Sequence, residues 1–195
     1  MVDKIKHLLI GITGSPGAGK TFFAKELSAA TGLRAIELND IVKRCKLYKG
    51  KDSDGSLIVD IKALSLKTKE LASKDSCIIV GHLLPELSIK LNLAIVLRIS
   101  LKKLLSRLMK RRYSMEKIRE NIIAEALDYC GEKAVQKGIS KEVYEINALS
   151  KSQRREIIEY AKAVKSGKIC KKPKKRIFNE MKELEELARK GKYGI

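Results

Sequence analysis

Tryptophan is absent from this 195-residue chain, aromatic residues make up only 5% of it, and there are three prolines. So few aromatic faces argue against recognition of nucleic-acid bases by stacking. No apolar run approaches the length of a membrane span, and the first, over residues 8–12, is far too short. That run does not read as a secretory leader either, because glycine-rich sequence follows it without a small-residue cleavage site. The four cysteines, Cys45, Cys77, Cys130 and Cys170, are widely spaced and form no C-x-x-C pair. This spacing argues against a disulfide framework and a zinc site, and it predicts reduced, mostly buried thiols. With 44% hydrophobic and 33% charged residues, collagen-like and disordered classes are excluded as well. The expectation is a soluble, cytoplasmic globular protein with no membrane partner. Its length lets it bury about 70% of its unfolded surface.

Acidic residues are scarce too: 23 Asp and Glu face 42 Lys and Arg, a formal charge of +19. Such an excess favours polyanionic partners, whether nucleotides, RNA or an acidic protein surface. A lysine-rich surface kept for solubility would give the same count. The excess is uneven: residues 151–195 hold 15 basic and six acidic side chains, and residues 168–176 hold six cations and no acid.

Apolar runs at 5–13, 34–38, 77–80, 93–97 and 143–146 predict strands. Helical periodicity predicts helices over 20–30, closed by Thr31-Gly32, over 61–72 and over 153–165. Asn39 or Asp40 can cap a helix after the second strand, and the polar run 48–56 reads as a loop with turn chemistry. Leu101, Leu104, Leu105 and Leu108 form one helical stripe, with Ser100 as its cap. Met115, Ile118, Ile122 and Leu127 form a second, and the basic junction 110–113 separates the two. A last helix is expected over 177–190, with Ile177, Met181, Leu184 and Ala188 on one face. Strands alternating with helices predict an α/β fold: a three-layer P-loop NTPase with about five parallel strands and a basic C-terminal helical extension. The boundary is expected near residue 166, leaving 1–165 as the nucleotide-binding domain and 166–195 as a basic tail and C-terminal helix, whose removal should leave turnover near normal if that helix does not cover the core.

Residues 14–21 read GSPGAGKT, a full match to the phosphate-binding loop, lying between an apolar strand and a helix as that loop requires. Gly14, Gly17 and Gly19 free the backbone so that successive N–H groups of Gly14, Ser15, Pro16, Gly17, Ala18, Gly19, Lys20, Thr21 and Phe22 (Pro16 lacking one) line a single concavity. Lys20 neutralises phosphate charge, and the Thr21 hydroxyl is the expected Mg²⁺ ligand. ATP and Mg²⁺ are therefore the expected cofactors. Arg98 ends a strand at the carboxyl edge, where open α/β sheets bind ligands. Arg107, Arg111 and Arg112 flank a break between helices and suit a short lid that clamps a transferring phosphoryl group. Asn39 and Asp40 follow the second strand, where a small kinase binds its acceptor.

With these motifs the chain resembles the adenylate kinase isoenzyme 6 family, whose fold is that of nucleoside monophosphate kinases, over roughly residues 5–165. The resemblance rests on GSPGAGKT, Asn39-Asp40, Leu47-Tyr48, Ile78-Ile79-Val80-Gly81-His82, Ile95-Val96-Leu97-Arg98, and Arg107-x-x-x-Arg111-x-Tyr113 with Lys117 and Asn121 behind. It implies an ATP:AMP phosphotransferase with AMP bound by residues 37–57 and a lid over 110–120. It also implies catalytic roles for Lys20, His82, Arg98, Arg107 and Arg111, an adenine-side position for Lys151, and a small-subunit ribosomal protein and rRNA as partners. One departure is visible: relatives carry an acid two positions before the histidine, where this chain has Val80. Mg²⁺ must then rely on Thr21, phosphate oxygens and water, with Asp40 in support, and a carboxylate arriving from elsewhere, such as Asp60, would be what lets water or a hydroxyl attack. Water needs an oriented carboxylate to attack, whereas a monophosphate acceptor is already ionised and needs only positioning. A nucleotide-regulated assembly ATPase is the competing reading.

Overall fold

The computed structural model describes residues 7–52, 55–176 and 178–189. The expected strand start at Ile5, and Ile177 and Lys190 at the ends of the last expected helix, lie outside the described residues. In chain order the elements are β1 (Leu9–Thr13), α1 (Lys20–Thr31), β2 (Arg34–Glu37), α2 (Leu38–Arg44), β3 (Tyr48–Lys51), β4 (Leu57–Val59), α3 (Ile61–Ala72) and β5 (Cys77–Val80). There follow β6 (Leu93–Arg98), α4 (Leu101–Lys110), α5 (Met115–Ala126), α6 (Tyr129–Gln136), β7 (Val143–Asn147), α7 (Lys151–Lys165) and α8 (Met181–Arg189).

β2, β5, β1, β6 and β7 lie side by side in that order and pair in parallel throughout. The fold is thus the expected α/β P-loop architecture with five parallel strands. β1 is central, between β5 and β6; the chain runs from β1 to the edge strand β2, returns to β5 beside β1, and then passes β1 to reach β6 on its other side. The crevice beyond the carboxyl end of β1 is where such sheets receive ligands. Strand alternation divides the core into two. Ile78 and Val80 of β5 pack with Phe23 and Leu27 of α1, Leu104 of α4, Ile122 of α5 and Ile157 of α7. Cys77 and Ile79 face the other way, onto Leu38 of α2, Leu64 of α3 and Ala134 of α6. Each such fully buried aliphatic side chain contributes about 1.5–3 kcal/mol. None of the helices among the described residues is long and apolar enough to cross a membrane.

Several local expectations change. Residues 48–51 and 57–59 pair as an antiparallel hairpin, β3–β4, rather than a loop. α2 starts at Leu38 with Glu37 as its N-terminal flank, so Asn39 and Asp40 lie in its first turn and cap nothing. Asp60 caps α3, its carboxylate accepting from the Ala63 amide at 3.0 Å. α6 was not expected. The chain enters it through Asp128 in the left-handed region (φ 50°), whose carboxylate accepts from the Gly131 amide. Cys77 and Cys130 are buried, but Cys45 and Cys170 are exposed.

The C-terminal extension is not free of the core. Leu187 of α8 is 5% exposed, within the α1-side core. The Glu183 carboxylate accepts from the amides of Leu101 (2.8 Å) and Lys102 (3.1 Å), the first residues of α4. The Ser100 side chain, the expected cap, makes no capping hydrogen bond. Upstream, Lys172 pairs with Glu142 and Arg176 with Glu156.

Candidate active site

Gly14 has φ 131°, and a Cβ there would stand 2.4 Å from the Leu97 carbonyl oxygen. Gly19 flanks the start of α1 at φ 107°. Side chains are thus excluded where the loop bends, and the loop closes over the N-terminus of α1, whose unpaired amides and dipole favour anions. Lys20 Nζ donates to the carbonyls of Gly14 (2.8 Å) and Ser15 (3.0 Å). Burial pulls its pKa down to about 8, against the support of nearby negative groups that include Glu37.

Arg107 of α4 donates to the carbonyls of Gly17 (2.7 Å) and Ala18 (3.2 Å), tying the helix to the loop. Beside it opens a cleft of about 1290 Å³. Its walls carry Pro16, Gly17, Gly19, Lys20, Thr21 and Phe22 from the loop and α1, and Arg107, Lys110, Arg111 and Tyr113 from the end of α4. Lys117 and Asn121 of α5, Gly81 and His82 after β5, and Glu37, Asn39 and Lys43 around α2 complete the polar lining. Ser56, Leu57 and Val59 of the hairpin segment form the far side, and Lys117 reaches across to donate to the Ser56 hydroxyl. Six cations therefore line the cleft, with Glu37 as the one carboxylate among the described residues. Such a wall suits polyphosphate. His82 is pushed down to about 4, first by burial and then by the charges of Lys20 and Lys117, so its ring is neutral at pH 7.

A profile of the family described as "AAA domain" matches residues 10–128. A protein of Methanocaldococcus jannaschii described as "Putative adenylate kinase" is 37% identical over 164 residues, covering 82% of this chain and 87% of that one. The "Adenylate kinase isoenzyme 6 homolog" of Schizosaccharomyces pombe is 38% identical over 126 residues, covering 63% and 71%. The chain belongs to the adenylate kinase isoenzyme 6 family. Among solved structures, a shikimate kinase from Acinetobacter baumannii superposes with a TM-score of 0.56 at 12% identity, over 85% of this chain and 97% of that one. A gluconokinase from Sinorhizobium meliloti gives 0.53 at 15%, over 82% and 92%. At such identities these two establish the fold alone.

Within this adenylate kinase isoenzyme 6 fold, the expected site residues separate. Lys20, Thr21, Phe22, Asn39, His82, Arg107 and Arg111 meet on one cleft. Ser15 and Ala18 are buried within the loop. Arg98 does not join them. It is 1% exposed, and its guanidinium is held by Glu125 (3.0 Å), Asp128 (2.7 Å), Glu145 (3.1 Å) and Glu180 (3.2 Å). With its donors taken by four carboxylates it has none to offer a phosphate. Asp40 is exposed and off the cleft lining, because its place in the first turn of α2 turns it outward. Lys151, the first residue of α7, is likewise exposed and off the lining. Arg154, one turn further on, lies over the Phe22 ring at 5.5 Å, fixed by Glu26 at 2.7 Å and the Ala148 carbonyl at 2.7 Å. Glu37 and Lys43 lie within the expected acceptor segment 37–57, but sequence reasoning did not single them out. The signal for Glu37 was its place as the last residue of β2.

Proposed function

We propose that this chain is a Mg²⁺-dependent ATP:AMP phosphotransferase. The observation that carries the reading is the cleft's charge: cations stand on the loop side (Lys20, Arg107), on the lid (Lys110, Arg111) and on the far side (Lys43, Lys117), with a single carboxylate among them. Two phosphorylated ligands meeting end to end need that distribution, and a phosphate acceptor needs no general base. Lys20 and the loop amides hold the ATP phosphates. Arg107 and Arg111 stabilise the charge that shifts during transfer, and Asn39 and Lys43 flank the acceptor. Phe22, its ring backed by Arg154, supplies a flat face on the donor side. Neutral His82 offers a ring nitrogen that holds a water or an acceptor oxygen. The exposed Thr21 hydroxyl on the cleft wall fits a Mg²⁺ ligand, and the bound ion would neutralise phosphate charge. Val80 is fully buried in the core and offers nothing to an attacking water, which favours transfer over hydrolysis.

The test is ADP formation from ATP with AMP, with other nucleoside monophosphates, and with no acceptor. Turnover that depends on AMP is expected; a rate unchanged by any monophosphate would overturn the reading.

A second reading, a partner role with a small-subunit ribosomal protein or rRNA, is favoured by the +19 charge and by Lys168, Lys171 and Lys175, exposed along the extended tail. It predicts RNA binding whose log–log salt slope flattens by about 0.7 for each tail phosphate contact removed. Equal slopes for Lys168, Lys171 and Lys175 replaced together by Ala and for the parent chain would exclude it.

A further inference from the structure

The cleft has to hold a hydrated divalent ion against its own positive walls, and the strand end that would face that ion carries Val80, an apolar side chain with no exposed surface. The sheet register shows what stands beside it. Val80 pairs with Ile12 of β1 on one side and with Glu37 of β2 on the other. Laterally paired residues of a parallel sheet point to the same face, so the Glu37 side chain leaves the sheet on the face that carries α1 and the phosphate loop. It does so one strand spacing, about 4.8 Å, from the position of Val80. Glutamate has one methylene more than aspartate with which to recover part of that offset.

The other carboxylates nearby are engaged or turned away. Asp60 caps α3. Glu125 and Asp128 hold Arg98. Asp40 is off the cleft wall. Glu37 is half-buried, lines the cleft and makes no hydrogen bond or ion pair among the described residues. It flanks α2 without using its side chain as a cap.

We infer that Glu37 is the carboxylate that orders the water shell of the nucleotide-bound Mg²⁺, in place of an acid at the end of β5. The inference rests on the ATP-binding part of the proposed function. Glu37 is an acceptor-only group among donors: it takes hydrogen bonds from metal-bound water and leaves the phosphate oxygens to Lys20, the loop amides and the arginines. Its position at the end of an edge strand lets it act from beside the phosphate row.

The test uses Glu37→Gln, which keeps the shape and removes the charge, with ATP binding measured by calorimetry as Mg²⁺ is titrated. Loss of an outer-shell partner raises the Mg²⁺ concentration that half-saturates the protein–ATP complex by about 10–100-fold. Metal-free ATP should bind the variant at least as tightly as the parent, since one negative charge has left the cleft. Adding Val80→Asp to Glu37→Gln should move the Mg²⁺ midpoint back if the double variant folds; the inference stands or falls on the single variant. An unchanged Mg²⁺ midpoint overturns it. So does a parallel loss of metal-free and metal-loaded ATP binding. Because AMP is absent from the titration, failure of AMP-dependent turnover would sink the phosphotransfer reading and leave this result standing.

Discussion

Arg98 sits at the carboxyl end of β6, where a phosphate-binding arginine would also sit, and its four carboxylate partners settle which it is. Arg98→Met should destabilise the protein by about 3–5 kcal/mol, because four acids would then face one another without their cation. Urea unfolding reads the loss. A variant of parental stability with abolished turnover would restore the catalytic assignment. Lys20 gives a prediction of the opposite kind. With its pKa near 8 in the free protein, it is partly neutral at pH 8–9, and a bound phosphate restores the proton. ATP binding should therefore take up a fraction of a proton in that range and weaken as pH rises through 8. Calorimetry in buffers of different ionisation enthalpy measures the uptake, and Lys20→Ala should abolish it. The loop residues were legible because the cradle is one contiguous segment whose glycines and Lys-Thr pair have a fixed spacing. Glu37, Lys43 and Lys117 reach the cleft from the end of β2, α2 and α5, and Arg154 of α7 backs Phe22 from behind. Only the sheet register and helix packing bring them together, and no spacing along the chain encodes that.

At the scale of elements, α8 and α4 form a unit that sequence periodicity did not join. The stripe on each helix was readable; that Glu183 would supply the α4 cap from 81 and 82 residues away was not. Glu183→Ala should cost about 1 kcal/mol, the ordinary worth of an N-terminal cap, seen as a lowered urea midpoint with an unchanged slope. Deleting residues 179–195 should cost more, since Leu187 and the Glu180 contact leave together. A truncated chain of parental stability would return α8 to the status of an appendage. Because α4 carries Arg107, held to the phosphate loop, the deletion should also lower ATP affinity. The hairpin β3–β4 was missed for a different reason. Its strands are only four and three residues long, YKGK and LIV, too short to show alternation. α6 was missed because Asp128 turns the chain through the left-handed region that a stripe analysis treats as a break.

Across the whole molecule the charge is +19, yet the buried ion cluster around Arg98 sets four carboxylates against one cation. Burial and the neighbouring Asp128 push Glu145 up to about 7, outweighing the pull of Arg98. Asp128 and Glu180 are raised by burial as well. A carboxyl with a raised folded pKa binds its proton more tightly folded than unfolded. It therefore adds stability as pH falls from about 7 towards the ordinary carboxylate range, and that stability is lost as pH rises through 7. His82, with its pKa lowered to about 4, works in the opposite sense between pH 5.5 and 7. The thermal midpoint at pH 5.5 minus that at pH 8 should therefore be smaller in Glu145→Gln than in the parent. An undiminished difference would place the titration elsewhere. The architecture itself was legible, because strand, glycine loop and helix recur in an order that only a parallel sheet accommodates. The closing of the sheet's helical layer by the last helix was not, because it depends on contacts across half the chain.

The distance between Arg98 and Glu180, 82 residues, also sets a timetable for a chain made from its N-terminus. At about 5–20 residues per second, translation needs roughly 4–16 s to travel from the one to the other. Once residue 147 has been made, the nascent protein has its phosphate loop and all five strands of the sheet in hand, while α4 still begins without its cap and the seat of Leu187 stands open to water. The emergence of α8 thus closes this core: a ribosome stalled before residue 180 would hold out a nearly closed fold with an apolar face for chaperones to find, whereas docking of α8 withdraws it.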